Sequence, residues 1–120
     1  MVHGELMANL YKRYLVPLVN ATSTTVLTVP AATSAVVKSI WVSNSNSAAT
    51  TVEVVISPAG SGTHTIIPAE SIVGKGYADF AAGWDRNPNV LVLEAGDLLK
   101  IKVTTTDVVA TVSVLLIDRN

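Results

Sequence analysis

Apolar and polar residues alternate along this chain in runs of strand length, and no window holds a helical period with caps at both ends. In the segment Thr51 to Ser57 the alternation predicts Val52, Val54 and Ile56 on one face and Thr51, Glu53, Val55 and Ser57 on the other. Leu99, Ile101 and Val103 are expected to face a core, with Lys100 and Lys102 toward solvent. From Ala35 to Ser43 the same count groups Val36, Ile40 and Val42 with Lys38, and sets Val37 and Trp41 opposite. Trp41 lies mid-strand, so a core position is expected for it.

Further strand-length runs are Leu10 to Val19, Thr24 to Val29, Thr63 to Ile67, Val90 to Leu93 and the long closing run Val108 to Asp118. Pro17 confines the first of these to an edge, and Pro68 is expected to end the third before a further short strand in Glu70 to Gly76. Tyr77 to Ala82 fits either a strand or one helical turn. Between the runs stand turn residues: Pro58, Gly60 and Gly62, the loop Gly83 to Asn89, and the Ala95-Gly96-Asp97 turn, where Gly96 supplies a positive φ. Spacings of roughly 8–15 residues between turns predict about eight or nine strands in an antiparallel sandwich or barrel. The division expected is an extended N-terminal arm over 1–20 and a single all-β sandwich domain over 21–120.

Composition narrows the function classes. The chain has 120 residues, 49% hydrophobic and only 14% charged. An average soluble domain carries about 25% charged residues, so this surface is expected to be partly covered by other chains. A net charge of −1, with Lys12-Arg13 the one adjacent basic pair, argues against nucleic-acid binding. The longest apolar stretches fall well short of the ~20 residues of a membrane-spanning helix. Met1 to Leu10 lacks the basic start and apolar run of a signal peptide. Met7 is an alternative start to Met1, with Met1 to Leu6 then an extension.

The candidate chemistry is thin. There is no cysteine, so disulfides, thiolate metal sites and cysteine nucleophiles are excluded together. His3 and His64 are far apart in sequence, and neither has a carboxylate cluster beside it. Glu94 with Asp97, and Asp79 with Asp85, are the close acidic pairs, and neither sits in a dense Asp/Asn/Gly loop of the kind calcium needs. Gly60-Ser61-Gly62 lacks the spacing of a nucleophile elbow, and Gly74 with Gly76 lacks the third glycine and helix of a phosphate cradle. No catalytic, cofactor or metal residues are therefore assigned, and the chain is read as a non-enzyme. Two features favour contact with other molecules. Tyr11, Lys12, Arg13 and Tyr14 give the arm two aromatics and two cations, a set suited to lie on a neighbouring subunit. Trp84, in a polar loop, is a candidate exposed anchor for a partner or a sugar ring.

Three stretches together resemble small jelly-roll-like β-sandwich structural proteins of tailed bacteriophages. Thr24-Thr25-Val26-Leu27-Thr28-Val29-Pro30-Ala31 is similar to their T-x-Y-T-V-P-A entry, with Leu27 where an aromatic is common. Ala35 to Asn44, followed by Ser45 to Thr51, resembles their strand and polar loop. Leu93-Glu94-Ala95-Gly96-Asp97-Leu98 resembles the L-x-A-G-D-x-I/L turn shared with tumour-necrosis-factor-like jelly rolls. The resemblance covers most of residues 24–118 and implies a virion part. The expectation is a capsid decoration (cement) protein, or otherwise a neck, tail or baseplate component, assembled in the bacterial cytoplasm. It implies a homotrimer or other symmetric homo-oligomer, bound to a major capsid or tail protein, with no cofactor. A carbohydrate-binding module built on Trp84 is the competing expectation.

Overall fold

The computed structural model of the protein describes residues 9–59, 62–80 and 91–118. Among these residues nine strands form and no helix does: β1 (Asn9–Pro17), β2 (Thr24–Thr28), β3 (Thr33–Asn44), β4 (Thr50–Ser57), β5 (His64–Ile72), β6 (Tyr77–Asp79), β7 (Leu91–Leu93), β8 (Leu98–Val103) and β9 (Val108–Asp118). Pairing is nested. β1 pairs with β9, β2 with β8, β3 with β6 and β7, and β4 with β5, all antiparallel. The chain is thus one long hairpin rolled up, and its two halves close into two sheets through β9–β3 and β8–β4. The sheets run β1-β9-β3-β6, with β7 also on β3, and β2-β8-β4-β5. That is the jelly-roll form of a β-sandwich.

Strand alternation builds the core between the sheets. β9 contributes Val108, Ala110, Val112 and Val114, β8 contributes Leu99, Ile101 and Val103, and β4 contributes Val52 and Val54, all buried. Ile56 packs against this cluster as the alternation of β4 predicts.

Bulges shift the phase elsewhere. In β3, Val37 pairs with Val114 and Ser39 with Ser113, so Lys38 is an extra residue in the ladder. Ala35 and Val37 therefore share the inner face with Ile40 and Val42, while Val36 and Trp41 turn outward. This corrects the unbroken alternation expected for β3. It also moves Trp41 out of the core, to 40% exposure. A second extra residue, Val26 in β2, lets Val26 and Leu27 both be buried. β5 has irregular register on either side of Ile67, which lets one edge strand continue through Pro68 to Ile72. The two short strands expected there are one.

The expected arm is extended from Asn9 onward, and it lies on its own chain's sheet. Asn9 to Pro17 pairs residue for residue with Ile117 to Val109 of β9. Tyr14 and Val16 pack against the core. A full backbone ladder thus joins this segment to the sandwich through β9.

Two local clusters lock the ends of the roll. At one end, Asp97 N donates to Glu94 O at 3.0 Å around Gly96, whose φ is +86°. Glu94 N donates to the Asp97 carboxylate at 2.8 Å. Gly96 N and Asp97 O then bond the two backbone groups of Val29, so the turn clasps the end of β2. At the other end, the buried Asn44 side chain donates to the carbonyls of Ala48, Ile72 and Val73 and accepts from Asn46 N. The β5–β6 turn comes so close that a Cβ on Gly74 would stand 2.1 Å from Ser47 O.

Candidate functional site

Each sheet has an outward face, and the two differ in chemistry. On β2-β8-β4-β5 the outward positions include Thr25, Lys100, Lys102, Thr51, Glu53 and Thr65, a Thr-and-charge surface of the solvated kind. Val55 also points outward there and is nevertheless 5% exposed, being flanked by Lys100 and Thr65 on a central strand.

The outward face of β1-β9-β3 with β6 and β7 is apolar. Its registered rows can be read across the sheet. One row runs Tyr11, Leu115, Val36, Val92. The next runs Arg13, Ser113, Ser39. A third runs Leu15, Thr111, Trp41, Asp79, and a fourth runs Pro17, Val109, Ser43, Tyr77. Tyr11 (73%), Leu15 (59%), Tyr77 (66%) and Val92 (51%) are strongly exposed, far more apolar surface than a single stray side chain presents. Trp41 and Tyr77 stack with ring centroids 4.7 Å apart and planes at 16°.

Three charged side chains interrupt this face. Asp79 accepts from Ser39 Oγ at 3.2 Å and from Ile40 N at 3.2 Å, which ties β6 to the strand beside it. Arg13 stands on the edge strand, and Lys38 projects from the bulge. With Tyr11, Lys12, Ser113 and Val114 these two cations line a shallow groove of about 390 Å³.

The expected arm contacts divide between the two sides of β1. Tyr11 and Arg13 belong to the outward face. Tyr14 points inward, with Lys12 Nζ 5.7 Å from its ring centroid. Trp84, with Asp85 and the rest of the loop Gly83 to Asn89, lies outside the described residues, as does His3. His64 is exposed at the start of β5. Glu94 and Asp97 are engaged in the turn geometry given above. Among the described residues no three His, Cys, Asp or Glu side chains cluster as a metal would need.

Sequence reasoning did not locate the apolar outward face. Its signal was present at the two ends of β9, where outward Val109, Leu115 and Ile117 stand beside inward Val108, Val114 and Leu116, with Thr111 and Ser113 the polar outward positions between. In β3 the signal was hidden, because the bulge at Lys38 puts Val36 and Trp41 on the same face, where plain alternation sets them on opposite ones. Comparison with protein-family models, with curated proteins and with solved structures found no match.

Proposed function

We propose that this protein is a non-catalytic structural subunit of a tailed-phage particle, in first place a capsid decoration (cement) protein. The observation that carries the reading is the apolar outward face of the β1-β9-β3 sheet on a jelly-roll domain whose other sheet is polar. A chain with so few charges that also leaves Tyr11, Leu15, Trp41, Tyr77 and Val92 in the open is built to be covered by other subunits. The three motif stretches named above support the phage assignment. Tyr11 and Arg13, on the same face, are proposed contact residues, and Lys12 and Tyr14 border them.

The neck, tail or baseplate is the alternative station. Sugar binding through Trp84 is the further alternative, and that residue lies outside the described ones. The test is fractionation of a phage lysate with an antibody raised against the purified chain. The protein is expected to co-sediment with intact particles and to label their heads in immunogold micrographs. Recovery only in the soluble fraction refutes the reading, and label confined to tails moves the assignment to the alternative.

A further inference from the structure

Resting on that assembly reading, we infer that the apolar face seats a second copy of the same chain, packed face to face about a two-fold axis parallel to the strands and between β9 and β3. Three observations support a second copy as the occupant.

Size comes first. The face is four strands wide at about 4.8 Å each, and β9 spans 11 residues. At about 3.4 Å per residue this gives on the order of 700 Å², close to the roughly 800 Å² per partner of a standard stable interface.

The second is the order of residues along the rows. The proposed axis lays each row over its own reverse. Tyr11 then stands over Val92 of the second copy, and Leu115 over its Val36, so the wholly apolar row meets itself. A self-complementary patch is what a two-fold interface requires. Aligned sheets cross at about 30°, which keeps these pairs as neighbours near the axis.

Charge is the third. Arg13 lies at the β1 margin and Asp79 at the β6 margin, so the face has opposite signs at opposite edges. The Asp79 carboxylate reaches Ser39, the row that also holds Arg13. The axis exchanges the margins and sets each Asp79 over Leu15 of the other copy, one row from its Arg13. Lys38 of each copy falls near the axis, so the two side chains must extend past the interface along their stems to keep their ammonium groups in water and apart.

The experiment uses the full chain. Sedimentation equilibrium is expected to give a dimer. Val36→Glu and Val92→Glu each bury a charge in the proposed interface and are expected to raise the dissociation constant at least about 30-fold, the scale of a hot-spot loss. Thr25→Glu, on the outward face of the other sheet, is expected to leave it unchanged. Val92 is half exposed in the single chain, so its substitution tests the interface with little burden on the fold.

The chain has no cysteine, so introduced thiols react alone. The double variant Tyr11→Cys, Val92→Cys is expected to give covalent dimer with a short bismaleimide, in higher yield than either single variant. A monomer, a trimer, equal effects of Thr25→Glu and Val92→Glu, or absence of the cross-link overturns the inference. A monomeric chain still found on particles overturns only this inference. A dimer of the described geometry that is absent from particles overturns only the assembly reading.

Discussion

Replacing Asn44 with alanine tests whether one buried amide holds the loop end of the roll. Its side chain is 2% exposed. Nδ2 lies 2.9 Å from Ala48 O, 3.1 Å from Val73 O and 3.3 Å from Ile72 O, and Oδ1 accepts from Asn46 N at 3.0 Å. Two amide hydrogens share the three carbonyls, so the equivalent of three hydrogen bonds is at stake. At about 1 kcal/mol net each, Asn44→Ala is expected to cost about 3 kcal/mol, with the buried Ile72 carbonyl least able to find water instead. For a chain of this length that is a fall in Tm of about 12 °C. Urea unfolding followed by tryptophan fluorescence gives the number, provided the m-value is unchanged. Asn44→Asp is expected to be worse at neutral pH, because it sets a carboxylate oxygen among the carbonyl oxygens. Asn46→Ala, which loses an exposed 2.9 Å bond from Ala48 N and two long contacts with Thr106 at 3.3 and 3.4 Å, is expected to cost about 1 kcal/mol. A loss below about 1 kcal/mol for Asn44→Ala, or equal losses for the two asparagines, refutes the claim that Asn44 is the hub.

Three further outcomes follow from the register and the turns. Gly96→Ala combines a φ of +86° with a Cβ 2.8 Å from the Ala59 Cβ, so a loss of about 1–2 kcal/mol is expected. Ala59→Gly in the same chain should recover part of it in thermal melts, and no recovery means the neighbour is not the obstacle. Deleting Lys38 removes the extra residue of the bulge and keeps Val37 and Ile40 on one face, so the protein should still unfold cooperatively. Deleting Glu53 from the regular β4–β8 ladder turns one side of β4 inside out and should abolish folding by circular dichroism; equal tolerance of both deletions contradicts the register. Trp41→Ala should cost about 1 kcal/mol, the scale of one aromatic pair, rather than the 3–5 kcal/mol of a buried ring. Acrylamide quenching of Trp41 should weaken as protein concentration rises, and concentration-independent quenching argues against burial of this face between copies.

Much of the fold was legible because alternation is local. β4 and β8 pair without irregularity, and their inward residues Val52, Val54, Leu99 and Ile101 are the ones a count of two predicts. The reading failed where the period breaks. At Lys38 one extra residue exchanges two faces, and nothing in Val36-Val37-Lys38-Ser39 distinguishes a bulge from plain alternation. At Pro68 a residue that normally stops a strand is accommodated because β5 is an edge with irregular pairing. The partnership of β1 with β9 joins opposite ends of the chain, and no local pattern reports a contact of that sequence separation.

The candidate surface was less legible than the fold for a related reason. Val55 and Leu115 are both apolar residues at outward positions, and sequence treats them alike. Val55 sits on a central strand between Lys100 and Thr65, and these neighbours leave it 5% exposed within its own chain. Leu115 sits between Tyr11 and Val36, in a row that Val92 continues, so its surroundings extend the apolar surface instead of closing it. The first residue completes a polar face and the second belongs to a patch. What separates them is the order of strands, which is set by the rolling of the hairpin. An outward apolar residue therefore joins an exposed patch only through neighbours that come from four different stretches of the chain. Low overall charge is a property of the whole chain, and the jelly-roll order shows where its exposed apolar residues gather.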